Sequence, residues 1–310
     1  MDRVSAIARA VLYEGYILWP YRRSAAKNRS RWTFGAVLPQ AWSAAHPDDR
    51  WLLQGQYLIQ GPGAVTATVR FLHVVRRQPL DAARRPVDEL EAGGERHLAW
   101  EEATERELAV PVDGRAPWTI AAGDDEEAVP GGTIVRSWER LDGWIEATTE
   151  TLAPDLARLT VRLANTTAWR GGDRAAALRR SLVSTHVALH VDGGAFVSLT
   201  DPPERLRAHA EACENAGTWP VLAGEPGDRS TMLSAPIILE DHPQIAPESP
   251  GDLFDGGEID QLLILNVLAL SEAERREMHD SDPRAREILE RCAALGPEDL
   301  MELHGRWRRV

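Results

Sequence analysis

Alternating apolar and polar residues dominate the first two hundred positions of the chain. The alternation is strongest in residues 51–60 and 65–75, and a period of two places successive side chains on opposite faces of a β-strand. The Gly-Pro-Gly sequence at residues 61–63 joins the two segments. Because these residues favour tight turns between strands, the pattern predicts a β-hairpin.

Five further segments show the same alternation and are separated by turn residues. They are residues 132–138, 144–152, 156–165, 184–191 and 195–199. The first three predict a meander of antiparallel strands, and the last two predict a hairpin across the Asp-Gly-Gly sequence between them. So many short strands at close spacing favour an antiparallel β-sandwich or an open barrel.

Helical signals are concentrated near the C-terminus. Residues 201–215 begin with prolines in the first predicted turn, residues 271–278 begin with a capping-box sequence, and residues 282–295 begin with Asp-Pro. The predicted fold is therefore mainly β, of the α+β class, with C-terminal helices. Residues 1–200 are predicted to form a β-rich body, and residues 201–310 a mixed helix and loop portion packed on the same domain.

Two polar stretches interrupt the strand pattern, at residues 81–94 and 113–132. Both are rich in proline or glycine, and strand-like segments lie on either side of each. We therefore predict long surface loops of one body rather than linkers between domains.

Charge and composition narrow the range of partners. The chain has 35 basic and 48 acidic residues, a formal net charge of −13, which repels nucleic acid and anionic lipid. The two cysteines, Cys213 and Cys292, are too few for a four-cysteine zinc or iron–sulfur site. Neither a long apolar run nor a signal-peptide pattern is present, which predicts a soluble, cytoplasmic protein without a membrane span.

One basic and aromatic segment is an exception to the acidic composition, because residues 15–47 contain no Asp or Glu. Arginine and aromatic side chains are favoured at the centres of protein interfaces, so the segment could be a docking face for an anionic partner. Alternatively, its arginines pair with acidic loops of this chain and stack on its own tryptophans. The candidate partner-binding residues are Trp19, Tyr21, Arg22, Arg23, Arg29, Arg31 and Trp32.

A second unusual segment, residues 241–260, is acidic and contains three prolines that restrict its backbone. A neutral imidazole with carboxylates is a plausible ligand set for a divalent metal ion. The spacing matches neither a zinc-protease motif nor an EF-hand, so a structural loop is the alternative. The candidate metal ligands are Asp241, His242, Glu248 and Asp252.

Two histidines and the common catalytic motifs give no clearer indication of chemistry. His186 and His190 would share one face of a strand at a separation of about 13 Å, too far for one metal ion to bridge directly. The sequence contains no nucleophile elbow, no phosphate-binding loop and no Rossmann glycine fingerprint. It therefore indicates no catalytic residue.

Three blocks of sequence resemble a bacterial, actinobacterial-type family encoded in nickel–iron hydrogenase gene clusters. The blocks are YEGYILWPYRRS at residues 13–24, NRSRWTFG at 28–35 and APIILEDHPQIAPESPGDLFDGGEID at 235–260. The resemblance implies a cytoplasmic role in assembling, maturing or docking to a hydrogenase. It implies no catalytic residues.

The sequence thus predicts a non-catalytic accessory protein without a cofactor, which binds a hydrogenase subunit or maturation protein and supports its assembly. Two alternatives stay open: a metal-dependent enzyme or metal carrier that uses the Asp241–His242 loop, and a cofactor-free subunit of an oxidoreductase complex. Nucleic acid is not expected as a partner, and the oligomeric state is left open.

Overall fold

The computed structural model describes residues 3–29, 31, 32, 34–244 and 260–296. The strands of this part, β1 to β14 in chain order, are Leu52–Gln60, Ala64–Asp81, Glu89–Ala92, Glu95–Leu98, Trp100–Ala109, Gly114–Ile120, Gly123–Val129, Gly132–Trp138, Leu141–Ala153, Leu156–Asn165, Val183–Asp192, Ala195–Phe196, Trp219–Leu222 and Thr231–Ala235. The helices, α1 to α8, are Arg3–Tyr13, Ala26–Arg29, Gln40–Ser43, Arg174–Leu178, Arg207–Glu211, Asp260–Leu268, Glu272–Ser281 and Pro283–Ala294.

Two antiparallel sheets form a sandwich. One has the strand order β12-β1-β10-β9-β6, and the other has the order β13-β14-β11-β2-β8-β7, with β5 paired to β2. Apolar side chains from both sheets meet in one buried cluster, to which β1 contributes Tyr57, β2 Phe71, β10 Val161 and β11 Val187. The predicted fold class, a mainly β sandwich with C-terminal helices, is confirmed.

Both predicted hairpins are wrong, because their strands belong to different sheets. β1 pairs with β10 and β12, whereas β2 pairs with β5, β8 and β11. Likewise, β11 lies in the sheet of β2 and β12 in the sheet of β1. The turns at residues 61–63 and 193–194 therefore carry the chain across the sandwich, since the apolar faces before and after each turn are buried against each other.

These two turns also lie against each other, and glycine makes the approach possible. A Cβ atom on Gly63 would lie 2.4 Å from Cγ2 of Val191 and 3.0 Å from the backbone nitrogen of Gly194. Real Cβ atoms do not approach another atom to 2.4 Å, so a residue with a side chain at position 63 would force Val191 to shift.

The predicted meander is correct only in its second half. β9 and β10 form an antiparallel hairpin, but β8 lies in the other sheet. The two predicted loops are also wrong, since residues 81–94 contain β3 and residues 113–132 contain β6 and β7. β7 pairs along β8 and carries exposed carboxylates at the edge of its sheet. Charged side chains are common on edge strands. The composition of such a strand is therefore similar to that of a surface loop.

A helical layer covers the outer face of the seven-stranded sheet. The N-terminal helix α1, which the sequence pattern did not predict, packs on β11 and β2, and α6, α7 and α8 pack beside it. The buried cluster of this layer joins Leu12 and Ile17 with Val74 of β2 and with Ile264 and Ile288 of the C-terminal helices. Among the described helices, none combines the length and apolar character that crossing a bilayer requires.

The C-terminal third completes the same structure. β13 and β14 extend the seven-stranded sheet, and the predicted starts of α7 and α8 are confirmed by a capping box at Ser271 and by Asp282 as N-cap before Pro283. The helix predicted over residues 201–215 is shorter, with one 3₁₀ turn at Glu204–Leu206 followed by α5. Residues on both sides of position 200 thus share one sheet and one helical layer.

Candidate functional site

The basic and aromatic segment lies between the start of β5 and the C-terminal helices. Three of its candidate residues are buried: Tyr21 is 0%, Arg31 5% and Trp32 4% exposed. These three side chains belong to the core rather than to a surface. A docking face can include only the partly exposed residues of the segment.

Arg31 is held in a cage of aromatic rings and carbonyl groups. Its guanidinium carbon lies 3.9 Å from the ring centre of Trp100 and 4.5 Å from that of Trp32. It donates hydrogen bonds to the carbonyl of Tyr16 at 2.9 Å and to the carbonyl of Glu101. Burial lowers the pKa of Arg31, and aromatic faces and nearby carboxylates stabilise the charged form in return.

Asp282 connects this cage to α8. Its Oδ2 accepts hydrogen bonds from the hydroxyl of Tyr16 at 2.8 Å and from the indole nitrogen of Trp100 at 2.9 Å. Its Oδ1 accepts from the backbone nitrogen of Arg284 at 2.9 Å, which caps the helix. Burial raises the pKa of Tyr16, and the charge of Asp282 raises it further. Tyr16 is therefore a neutral donor, fixed by a carboxylate 266 residues away.

Arg77, also buried, ties β2 to β5 and α7. It donates to the carbonyl of Leu98 at 2.9 Å, to the carboxylate of Glu102 at 2.8 Å and to the carbonyl of Ser281 at 2.9 Å. Ser281 is the last residue of α7, where a positive charge stabilises the helix dipole. Neither Arg77 nor Asp282 stood out in the sequence as a site residue, although Asp282 was predicted as a helix start.

Arg22 pairs with acidic residues of this same chain. It lies 3.0 Å from a carboxylate oxygen of Glu274 and 4.0 Å from one of Glu277, both on α7. Trp19 is half-buried and packs edge-to-face on Tyr21 at a centroid distance of 5.8 Å. This geometry favours the alternative interpretation for these residues, in which the basic segment is neutralised internally. The side chain of Arg29 lies outside the described residues.

A groove of about 990 Å³ opens beside the segment and brings together residues from six parts of the chain. We call it the arginine groove. The residues of its lining that matter here are Arg23, Arg76, Arg96, Arg179, Asp88 and Glu277.

Two of these arginines are already neutralised. Arg96 lies 3.3 Å from Asp280 and 3.6 Å from Glu89, and Arg179 lies 2.9 Å from Glu101. The groove thus contains ion pairs formed within the chain, in addition to the guanidinium groups of Arg23 and Arg76.

Arg23 and Arg76 differ from these paired arginines. Arg23 donates one hydrogen bond of 3.3 Å to the backbone carbonyl of Asp88, and Arg76 donates one of 2.9 Å to the side-chain oxygen of Gln78. Within the described part of the chain, neither guanidinium contacts a carboxylate. Since a guanidinium binds a carboxylate through two parallel hydrogen bonds, the groove can hold an anionic group.

Asp241 and His242 stabilise the edge of β13. Oδ2 of Asp241 accepts hydrogen bonds from the hydroxyls of Ser198 at 2.5 Å and Thr200 at 2.8 Å, and Oδ1 accepts from the backbone nitrogen of Leu222 at 2.8 Å. The backbone nitrogen of His242 donates to the carbonyl of Leu222 at 2.7 Å. Asp241 therefore uses both carboxylate oxygens inside the protein.

The other candidate metal ligands give no further support to a metal centre. Glu248 and Asp252 lie outside the described residues. In residues 3–244 and 260–296, apart from the gaps stated above, no three His, Cys, Asp or Glu side chains are grouped to hold a metal ion. His186 and His190 both lie on β11, but the first is fully buried and the second is exposed.

The chemistry that the site offers is recognition of negative charge beside a buried, hydrogen-bonded framework. Comparisons of the chain with protein-family models, with curated proteins and with solved structures found no match.

Proposed function

We propose that this chain is a non-catalytic accessory protein of the cytoplasm that binds a hydrogenase subunit or maturation protein and supports its assembly. The resemblance of residues 13–24, 28–35 and 235–260 to a family encoded with nickel–iron hydrogenases indicates the partner. The arginine groove, bordered by the first of these blocks, indicates where the partner docks.

The observation that carries the proposal is that Arg23 and Arg76 contact no carboxylate among the described residues, although the chain has a net charge of −13. The neighbouring arginines of the groove are paired with acidic residues of the chain itself. A partner carboxylate placed against these two guanidinium groups gains charge-assisted hydrogen bonds without breaking an ion pair of the described residues.

The buried hydrogen bonds of the neighbouring segment also support docking. Arg31 and Asp282 are buried and hydrogen-bonded to residues of α8, β5 and the segment itself. The surface next to Arg23 is therefore formed before a partner arrives. Preformed surfaces lose less conformational entropy on association than surfaces that must first become ordered.

The test is affinity capture with tagged full-length protein in cells that express a nickel–iron hydrogenase, followed by identification of the captured proteins by mass spectrometry. We expect a hydrogenase subunit or maturation protein to be enriched at low ionic strength and to be lost as salt is raised. Recovery of no hydrogenase component under low salt contradicts the proposal.

Charge-reversal variants test the docking surface in the same assay. Arg23→Glu and Arg76→Glu are expected to reduce capture. Arg205→Glu is the matched control, because Arg205 is an exposed arginine of the 3₁₀ turn that packs on the five-stranded sheet through Leu206. Equal losses for Arg76→Glu and Arg205→Glu would indicate a general charge effect.

A further inference from the structure

The arginine groove is larger than a single small anion needs. Its volume of about 990 Å³ lies at the upper end of the range of roughly 300–1,000 Å³ that is common for small-molecule sites. The lining comes from the N-terminal segment, β2, the β3–β4 hairpin, β5, α7 and Arg179 after α4. Such an opening has room for several residues of an extended chain.

The two arginines of the groove that contact no carboxylate among the described residues lie on separate elements. Arg23 lies in the N-terminal segment and Arg76 lies on β2, and each has guanidinium N–H groups beyond the single hydrogen bond that it donates. Arg77, in contrast, is buried and donates to three different acceptors. A ligand with two or more spaced carboxylates fits this arrangement better than a single charge does.

The groove also contains negative groups, which restrict the class of ligand. Asp88 is exposed, and its carboxylate makes no hydrogen bond or ion pair within the described chain. Glu277 accepts from the backbone nitrogen of Ser24 at 3.1 Å. A compact polyanion would be repelled by these carboxylates. An extended peptide satisfies both signs, because its acidic side chains meet the arginines while its backbone N–H groups donate to Asp88.

We infer that the arginine groove binds an extended acidic segment of the protein partner, with its side-chain carboxylates on Arg23 and Arg76. The inference rests on the proposed function for the identity of the partner. It adds the surface that binds and the chemistry of the segment that is bound.

The direct test is fluorescence anisotropy at low ionic strength with the full-length protein and a labelled ten-residue Glu-Ala repeat with blocked termini. A Gln-Ala repeat of the same length is the matched uncharged peptide. We expect the acidic peptide to bind and the Gln-Ala peptide to bind at least tenfold more weakly. Equal affinity for the two peptides overturns the inference.

Single substitutions test the contribution of each arginine of the groove. Arg23→Ala and Arg76→Ala are each expected to weaken binding of the Glu-Ala peptide about fivefold, as for a partly exposed ion pair. Arg205→Ala should leave the affinity unchanged, and unchanged binding in the Arg76→Ala variant overturns the inference even if Arg23→Ala fails to fold.

A free dicarboxylate separates a peptide site from a metabolite site. Glutarate at millimolar concentration is expected to displace the Glu-Ala peptide poorly, because it cannot contact the length of the groove. Saturable glutarate binding without peptide binding overturns the inference.

Two outcomes distinguish this inference from the proposed function. In one outcome, a hydrogenase component is captured equally by the wild type and by Arg76→Glu while the acidic peptide does not bind. In that case the inference about the groove is wrong and the proposed function is supported. If the peptide binds through Arg76 but no hydrogenase component is captured, the groove binds acidic peptides as inferred and the proposed partner is wrong.

Discussion

Acidification is expected to destabilise the protein through two buried histidines, His73 on β2 and His186 on β11. Both are fully buried, and burial lowers the pKa of each imidazole from 6.5 to about 4. The positive charges of Arg106 near His73 and of Arg70 near His186 lower these pKa values further. In His186, Nδ1 lies 3.3 Å from the carbonyl of Ser184, and Nε2 has no hydrogen-bond partner among the described residues.

The sign of the effect follows from proton linkage. Between pH 6.5 and 4 the unfolded chain binds a proton at each histidine and the folded chain does not, so stability falls as the pH falls through this window. At pH 7.5 and above the contribution is fully present. A difference of about 2.5 pKa units corresponds to about 3 kcal/mol for each histidine, of which about 2 kcal/mol is lost between pH 7.5 and 5.

Urea unfolding followed by tryptophan fluorescence measures this loss. The free energy of unfolding is compared at pH 7.5 and pH 5, a range above the ordinary pKa values of Asp and Glu. In His186→Gln the decrease between the two pH values should be smaller than in the wild type by about 2 kcal/mol. The quantity compared is the pH dependence, so a constant cost of the substitution cancels.

His190→Gln is the matched control, because His190 lies on the same strand with its ring exposed. It is expected to keep the pH dependence of the wild type. An unchanged pH dependence in His186→Gln would show that His186 is not a neutral, desolvated group in the folded protein.

Three further substitutions test the framework of the fold. Asp282→Ala removes the acceptor of two buried donors and a counter-charge near Arg31. It should lower the free energy of unfolding by about 3–5 kcal/mol in urea titrations, and a loss below about 1 kcal/mol would contradict the buried network. Arg22→Ala removes a partly exposed ion pair, and a loss of at most about 1 kcal/mol is expected in the same assay. Gly63→Ala should lower the melting temperature by several degrees, since about 1–3 kcal/mol is typical of overpacking, and an unchanged melting temperature would show that Val191 moves aside freely.

Helix starts near the C-terminus could be predicted because their signals are local. The capping box at Ser271 and the Asp-Pro pair at residues 282–283 satisfy backbone N–H groups within one turn, whatever surrounds the helix. The period-two pattern likewise identified strands, because alternation reports which side of a strand is buried. It did not identify edge strands such as β7, in which charged residues are exposed on both sides.

Strand pairing, in contrast, could not be predicted from local sequence. The Gly-Pro-Gly sequence at residues 61–63 is compatible both with a hairpin within one sheet and with a crossing between two sheets. The choice depends on which apolar faces meet across the core, and those faces come from segments far apart in the sequence. Residues 61–63 pack against the turn at residues 193–194, which no local pattern could indicate.

Composition identified the basic and aromatic segment as unusual, but not the role of each arginine in it. Arg31 and Arg22 have the same chemistry, yet one is caged by Trp100 and the other is half-exposed beside α7. Local sequence thus accounts for many of the strands, for the helix caps and for the local excess of basic charge in residues 15–47. Burial, ion pairing and the arginine groove depend on long-range contacts such as that between Tyr16 and Asp282, because they form only when the ends of the chain pack together on one sheet.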